Sequence, residues 1–255
     1  MTGASEGAAL LHARGLGKSY GALRATSNVC IDVRAAQIHA LIGPNGAGKS
    51  TAIGQLSGDI KSDTGHISFR GCDVTHLPVY TRARQGLVRS YQVTAVFDQY
   101  DAEDNVAMAV QARVGHSFRF WRDARSDKRL REPGRAALAR VGLGHKEHVL
   151  AANMGHAERR RLELAMVIVQ EPWLLLLDEP MAGLGPEGTL EMTALLGELK
   201  TQVAMLLVEH DMDVVFSLAD IITVLVSGET IASGLPAHIR ENDEVRDAYL
   251  GETDA

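Results

Sequence analysis

The stretch HALIGPNGAGKST, His39–Thr51, decides how the rest of this chain is read. It opens on a short apolar run, His39–Ile42, of the kind that forms a buried strand. Gly43, Pro44, Asn45, Gly46, Ala47 and Gly48 then make a glycine-rich turn, and Lys49, Ser50 and Thr51 complete the pattern G-x-x-x-x-G-K-[ST]. The residue types follow from the chemistry. Glycines tolerate unusual backbone angles, so successive N–H groups can turn inward onto phosphate oxygens. Lys49 brings a cation to the β- and γ-phosphates, Ser50 offers a hydroxyl to Mg2+, and the positive end of the following helix adds to both. The pattern therefore predicts strand, phosphate loop and helix in that order, with the helix over Lys49–Ser57.

A second element of the same chemistry lies far downstream. Leu174–Leu177 is an apolar strand that ends in Asp178-Glu179-Pro180. Strand ends are where α/β sheets present ligand-binding groups. Asp178 is placed to hold Mg2+ through water, and Glu179 to orient and polarise a water for in-line attack on a γ-phosphate.

Working outward, candidate strands lie at Leu10–Ala13, Val29–Val33, Ile38–Ile42 and His66–Phe69. Between about Val93 and Gly144 helix formers dominate (DAEDNVAMAVQARV, RAALARVGL), which predicts a helical insertion. Helix and strand then alternate: helix Glu158–Gln170, strand Trp173–Leu177, helix Glu187–Lys200, strand Ala204–Val208, helix Met212–Ala219 and strand Ile222–Val226. Such alternation argues for an α/β core with a mostly parallel sheet. The expected organisation is one domain over 1–255, with its core in 1–92 and 166–235, a helical part in 93–165 and a helical tail in 236–255.

Composition excludes some alternatives. The 255 residues are 45% hydrophobic and carry a net charge of −6, so no global basic excess points to nucleic acid. No apolar run reaches the roughly 18 residues of a membrane span, and the N-terminus lacks the basic and apolar halves of a signal peptide. Cys30 and Cys72 stand apart, form no metal-ligand spacing, and read as buried thiols in a reducing cytosol.

With these residues in place, the chain resembles the ABC ATPases over nearly its whole length. Tyr20, in KSYG, falls where that family stacks an aromatic on adenine. Gln92, in RSYQV, matches the glutamine that links Mg2+ and the γ-phosphate to the helical subdomain and the transmembrane partner. Gly183-Leu184-Gly185 lies at the family's D-loop, and His210 matches the switch histidine that contacts the γ-phosphate. The resemblance implies a P-loop NTPase core with an N-terminal antiparallel β subdomain and a helical subdomain insertion. It implies ATP and Mg2+ as ligands, with Ser50, Gln92 and Asp178 around the metal and Glu179, His210 and Lys49 carrying the reaction. Two ATPase subunits of this family sandwich two ATP molecules head to tail.

The signature that acts on the partner's ATP departs from the family's LSGGQ. The aligned residues are Met154, Gly155, His156, Ala157 and Glu158. Gly155 replaces a serine whose hydroxyl contacts the γ-phosphate, Ala157 puts a Cβ where a glycine lets backbone approach, and Glu158 stands where glutamine is common. The expectation is a weakened half-site and asymmetric turnover. Gly185 also departs from the acidic or amide residue frequent in D-loops.

Three further segments resemble the branched-chain amino-acid uptake ATPases: GLVRSYQVTAVFDQYDAEDNVAMAVQAR, LLVEHDMDVVFSLADIITVLVSGETIASG and HIRENDEVRDAYLGE. Relatives for urea, amides and aromatic acids belong to the same group. This resemblance implies a second ATPase subunit in a heterodimer or homodimer, two transmembrane permeases, an extracytoplasmic solute-binding protein, and a peripheral place on the cytoplasmic face of the cell membrane. A soluble ABC ATPase is the alternative from another class; the single cassette and lack of sustained heptads disfavour it. The basic stretch Arg113–Arg135, interleaved with Phe118, Phe120 and Trp121, reads as a solvated helical face, with contact to permease loops or anionic lipid, or base stacking on nucleic acid, as the functional alternatives.

Overall fold

The structure is a computed structural model that describes residues 9–90, 96–114 and 127–250. The chain divides into two compact units, Met1–Arg89 with Trp173–Glu179 and Leu196–Ala255, and Ser90–Pro172 with Pro180–Leu195.

The first unit is built on two sheets. Strands β3 (Ile38–Ile42), β7 (Leu174–Asp178) and β8 (Ala204–Val208) are buried at every residue. Unbroken apolar runs are what strands covered on both faces require. With β6 (Leu87–Arg89), β9 (Ile221–Val226) and β10 (Glu229–Gly234) they form a six-stranded sheet in the order β10-β9-β3-β8-β7-β6. Every pairing is parallel except β9 with β10. That hairpin closes through Ser227 and Gly228, both at positive φ (49° and 83°), the geometry of a type I′ turn. β6 and β10 are not anticipated from the sequence; both are edge strands, and β10 has no fully buried residue to mark it.

The second sheet is antiparallel, in the order β2-β1-β4-β5, from β1 (Leu11–Tyr20), β2 (Leu23–Val33), β4 (Thr64–Phe69) and β5 (Cys72–Asp73). Its inner face places Leu11, Val29, Ile31 and Phe69 in one core with Ala52, Ile53 and Leu56 of α1 (Lys49–Ser57) and with Leu41, Leu174 and Leu206 of the parallel sheet. The phosphate-loop helix therefore shares its core with both sheets, and its boundaries match those read from the sequence. β1 and β2 run well beyond the expected Leu10–Ala13 and Val29–Val33, because register shifts between Ala13 and Ser19 break the alternation that marks a strand.

The thiols correct an expectation. Cys30 and Cys72 are both exposed. Cys30 sits between the buried Val29 and Ile31, so the two-residue strand period turns it outward.

Helices α7 (Met212–Leu218), α8 (Pro236–Arg240) and α9 (Asp243–Leu250) bring Val215, Ile239 and Val245 onto Ala40, Ile42, Ile222 and Val224. The expected single helical tail is thus two helices, with Asn242 accepting the Val245 N–H between them.

His39 is the polar exception inside β3. It is 2% exposed, and its ring nitrogens meet Asp32 O and Thr223 Oγ1, each at 2.8 Å. Burial pushes its pKa below the ordinary histidine value. The unfolded chain takes up a proton below about pH 6.5 that the folded chain refuses. The contribution of neutral His39 is therefore complete above that pH and is lost as pH falls towards the folded pKa. Urea unfolding at pH 7.5 and 5.5 is expected to show wild type losing more stability than His39→Asn; parallel losses would refute the assignment.

The second unit is helical. α3 (Ala102–Val114), α4 (Lys128–Arg140) and α5 (His156–Ile168) pack on one another, burying Val106, Val110, Leu138 and Leu162 completely. Glu103, 4% exposed, bonds Arg131 Nη1 and Arg135 Nε, each at 2.8 Å, and Arg131 also bonds Asp104. Arg113 pairs with Glu171. Arg131 is largely enclosed by these pairs, whereas Arg113 and Arg135 are exposed, so this part of the basic stretch keeps its solvated face with ion pairs running along it. Residues 115–126, with Phe118, Phe120 and Trp121, lie outside the described residues. α6 (Pro186–Leu199) follows Gly183–Gly185.

Candidate functional site

The loop after β3 has the backbone that its sequence demands. Gly43, Gly46 and Gly48 take φ of 152°, 78° and 98°. A Cβ at Gly43 would stand 2.1 Å from Leu225 O and one at Gly48 2.2 Å from Ala25 O, so no other residue fits either place. Gly46 faces open space. Pro44, Asn45 and Ala47 complete the turn, with the Ala47 N–H returning to Pro44 O at 3.2 Å. Lys49, 9% exposed, folds its ammonium onto Gly43 O at 2.5 Å and Pro44 O at 2.8 Å. The cation is thereby held at the loop, where anionic oxygens are to be met. Ser50 and Thr51 follow in the first turn of α1, and Ser50 is exposed.

At the end of β7 two neighbouring carboxylates have opposite environments. Asp178 is 3% exposed; its Oδ2 accepts Arg89 Nη2 at 2.7 Å, while its buried Oδ1 has no hydrogen-bond partner among the described residues. Arg89 also reaches Asp59 at 2.9 Å. A buried acceptor left open beside a neutralised one is the arrangement a hydrated divalent cation fits. Glu179 is half-buried and has φ of 49°. Its N–H donates to Val208 O at 2.9 Å, and its carboxylate makes no bond among the described residues. The strand ladder pairs Asp178 with Val208, so the turns after β7 and β8 are neighbours. His210 opens the second of these turns with its side chain 67% exposed.

The profile of the family described as ABC transporter matches residues 26–182, more than half the chain. The chain belongs to the ABC transporter ATPase family. The profile described as branched-chain amino acid ATP-binding cassette transporter matches residues 229–255. A high-affinity branched-chain amino acid transport ATP-binding protein, LivG, of Salmonella typhimurium is 37% identical over 255 residues, covering 95% of this chain and 98% of its own. BraF of Pseudomonas aeruginosa, described in the same words, is 36% identical over 250 residues with the same coverage. Among solved structures, the ADP conformation of an ATP-binding cassette of an ABC transporter superposes with a TM-score of 0.85 at 23% identity, over 96% of this chain and 99% of that one. A nucleotide-free cassette gives 0.84 at 22% identity, over 95% and 99%.

The other positions expected of an ABC ATPase are distributed as follows. Tyr20 ends β1, 50% exposed, with the Lys18 ammonium 5.5 Å from its ring centre. Gln92 lies outside the described residues. The altered signature opens α5: Gly155 is the N-cap, and its N–H donates to Glu158 Oε2 at 3.1 Å. Glu158 also pairs with Lys146, and that bond, ahead of the Gly155 N–H, holds its pKa below the usual carboxylate value against a cost of burial. A Cβ on Gly155 would meet nothing nearer than Glu158 Oε2 at 3.9 Å, so a serine fits there. Ala157 places its methyl towards Gly188 of α6. His156 Nε2 lies 3.3 Å from Ala182 O, and a Cβ on Gly183 would come within 2.7 Å of it. The His156 imidazole thus packs on Gly183, whose φ of 74° also requires glycine.

Two residues of the site escape the sequence reading. Arg89, which fixes Asp178, and Glu209, between Val208 and His210, are single polar residues with no motif of their own. The faint signal for Arg89 is its place in RSYQV; for Glu209 it is a carboxylate directly after five apolar residues.

Proposed function

We propose that this chain binds and hydrolyses ATP to power an importer of branched-chain or other hydrophobic amino acids. The observation that carries the reading is its likeness to LivG and BraF along nearly the whole chain, joined to the branched-chain profile on 229–255. In this reading Tyr20 stacks on adenine, and the N–H groups of Gly43–Thr51 with Lys49 hold the phosphates. Ser50, Gln92 and Asp178 would hold Mg2+, which would neutralise negative charge developing on the phosphate during transfer. Glu179 takes a hydrogen bond from the attacking water and orients it in line, and His210 contacts the γ-phosphate. Gly155, His156, Ala157 and Glu158 face the ATP held by a second ATPase subunit. The pair docks on two permeases at the cytoplasmic face of the membrane, fed by an extracytoplasmic binding protein. No helix among the described residues is long and apolar enough to cross a membrane, which fits a peripheral subunit.

The test is ATPase activity of the chain purified with its native partners, over a panel of amino acids, urea, amides and aromatic acids. Stimulation by leucine, isoleucine or valine is expected; stimulation by urea or amides alone would overturn the substrate class. In the same assembly, Gly155→Ser with Ala157→Gly is expected to raise the rate by restoring the hydroxyl and the close backbone approach. An unchanged rate would sink the weakened half-site.

A further inference from the structure

The turn after β8 carries a carboxylate that the reading above does not use. Glu209 is 0% exposed, although the next side chain, His210, is 67% exposed. Glu209 Oε2 accepts the N–H of His210 at 3.0 Å and, more weakly, that of Asp211 at 3.5 Å. It also stands 3.7 Å from His210 Nδ1. The residues on either side are fixed as well. Asp211 Oδ1 accepts the N–H groups of Asp213 and Val214 at 3.0 and 3.2 Å and so starts α7. Val208 is paired with Asp178, and its carbonyl receives the Glu179 N–H.

Burying a carboxylate is costly unless its oxygens are bonded, and an apolar side chain fills such a space without that cost. A buried acceptor at position 209 is therefore there for what it bonds, and its bonds include the backbone of His210 and Asp211. A strand that simply ran into a surface turn would let His210 sample many directions. With its N–H tied to a buried oxygen, its Cα is set relative to the neighbouring Glu179 turn.

We propose that Glu209 is a positioning residue for His210, fixing the turn so that the imidazole is presented next to Glu179. This rests on the reading of His210 as the γ-phosphate contact. Its action is through His210, whose backbone N–H it holds.

The test is a double-mutant cycle on the full chain purified with its native partners, reading kcat and the dissociation constant of a fluorescent ATP analogue. Glu209→Met keeps the volume and removes the acceptor. It is expected to lower kcat by about tenfold or more with nucleotide affinity within about twofold of wild type. Glu209→Gln keeps an acceptor oxygen and is expected to stay within about threefold of wild type in kcat. In a His210→Ala background, Glu209→Met is expected to cost nothing further, because its partner is already gone. Multiplying effects in the double variant would overturn the proposal, as would a loss of nucleotide affinity matching the loss of kcat. A Glu209→Gln variant as impaired as His210→Ala would overturn it even if Glu209→Met failed to fold. If His210→Ala itself turned over normally, the role of His210 would fall, which is a separate result.

Discussion

Glu179→Gln is expected to slow ATP hydrolysis by at least about a hundredfold while leaving ATP binding intact. The two carboxylates after β7 have different tasks because their surroundings differ. Asp178 is buried and half engaged, with Arg89 on Oδ2. It cannot swing towards a water without giving up that charge-assisted bond. Glu179 has no such anchor on its carboxylate, is only half-buried, and is turned by a left-handed backbone away from the path of the strand. A non-glycine residue at φ of 49° is uncommon, and such geometry is held by its surroundings. Here the Glu179 N–H is tied to Val208 O. Glutamine keeps the shape and the hydrogen-bonding reach but is a far weaker base. The expected phenotype is therefore separable: a normal dissociation constant for ATP, negligible phosphate release in single-turnover quench experiments, and two ATPase subunits held together by unhydrolysed ATP. Phosphate release at the wild-type rate would remove Glu179 from the chemistry and move attention to His210.

The sequence made the nucleotide-facing half of this site legible and left its supports hidden, for a physical reason. A phosphate loop needs glycine at set intervals, a lysine and a hydroxyl, so Gly43–Thr51 and the helix Lys49–Ser57 can be read without neighbours. LLLLDE is similarly explicit, since only a strand covered on both faces tolerates that run. Supports obey no such code. Arg89, Arg82 and Glu209 bond backbone atoms or carboxylates that are remote or featureless in sequence, and each alone looks like a surface charge. β6 is buried but only three residues long, too short to show a period, and β10 has no buried residue to mark it. Cys30 shows that residue type is a weaker guide to burial than strand period, since the two-residue spacing from Val29 to Ile31 points it outward. In the basic run Arg113–Arg135 charge density marks an outer face, and Arg113, Lys128, Arg129 and Arg135 are exposed; what it does not show is that Arg131 turns in to the buried Glu103.

Arg82→Met is expected to destabilise the chain by about 3–5 kcal/mol, the largest stability effect of any single change considered. Arg82, in the short helix α2 (Val79–Arg84), is 2% exposed. Its guanidinium donates to Gln55 O at 2.8 Å, Leu56 O at 2.6 Å, Thr75 O at 3.0 Å and Leu77 O at 2.9 Å. Gln55 and Leu56 belong to the last turn of α1, whose final carbonyls have no partner within the helix. A cation there meets both the open acceptors and the negative end of the helix. Burial lowers the Arg82 pKa, but no shift of that kind brings a guanidinium near neutrality at pH 7. Methionine fills part of the volume and leaves those carbonyls dry and unbonded. Lysine cannot replace the fork, because one ammonium does not span acceptors on two segments, so Arg82→Lys should recover only part of the loss. Native proteins hold only about 5–15 kcal/mol in total, so the Met variant stands close to unfolding. The same helix begins at Lys49, which couples this support to the phosphate loop. Nucleotide binds only the folded chain, so saturating ADP should restore a fraction of the lost stability. Urea melts of wild type, Arg82→Met and Arg82→Lys, with and without ADP, read all of this. A Met variant within about 1 kcal/mol of wild type would mean that water reaches the end of α1 and that Arg82 is not its cap.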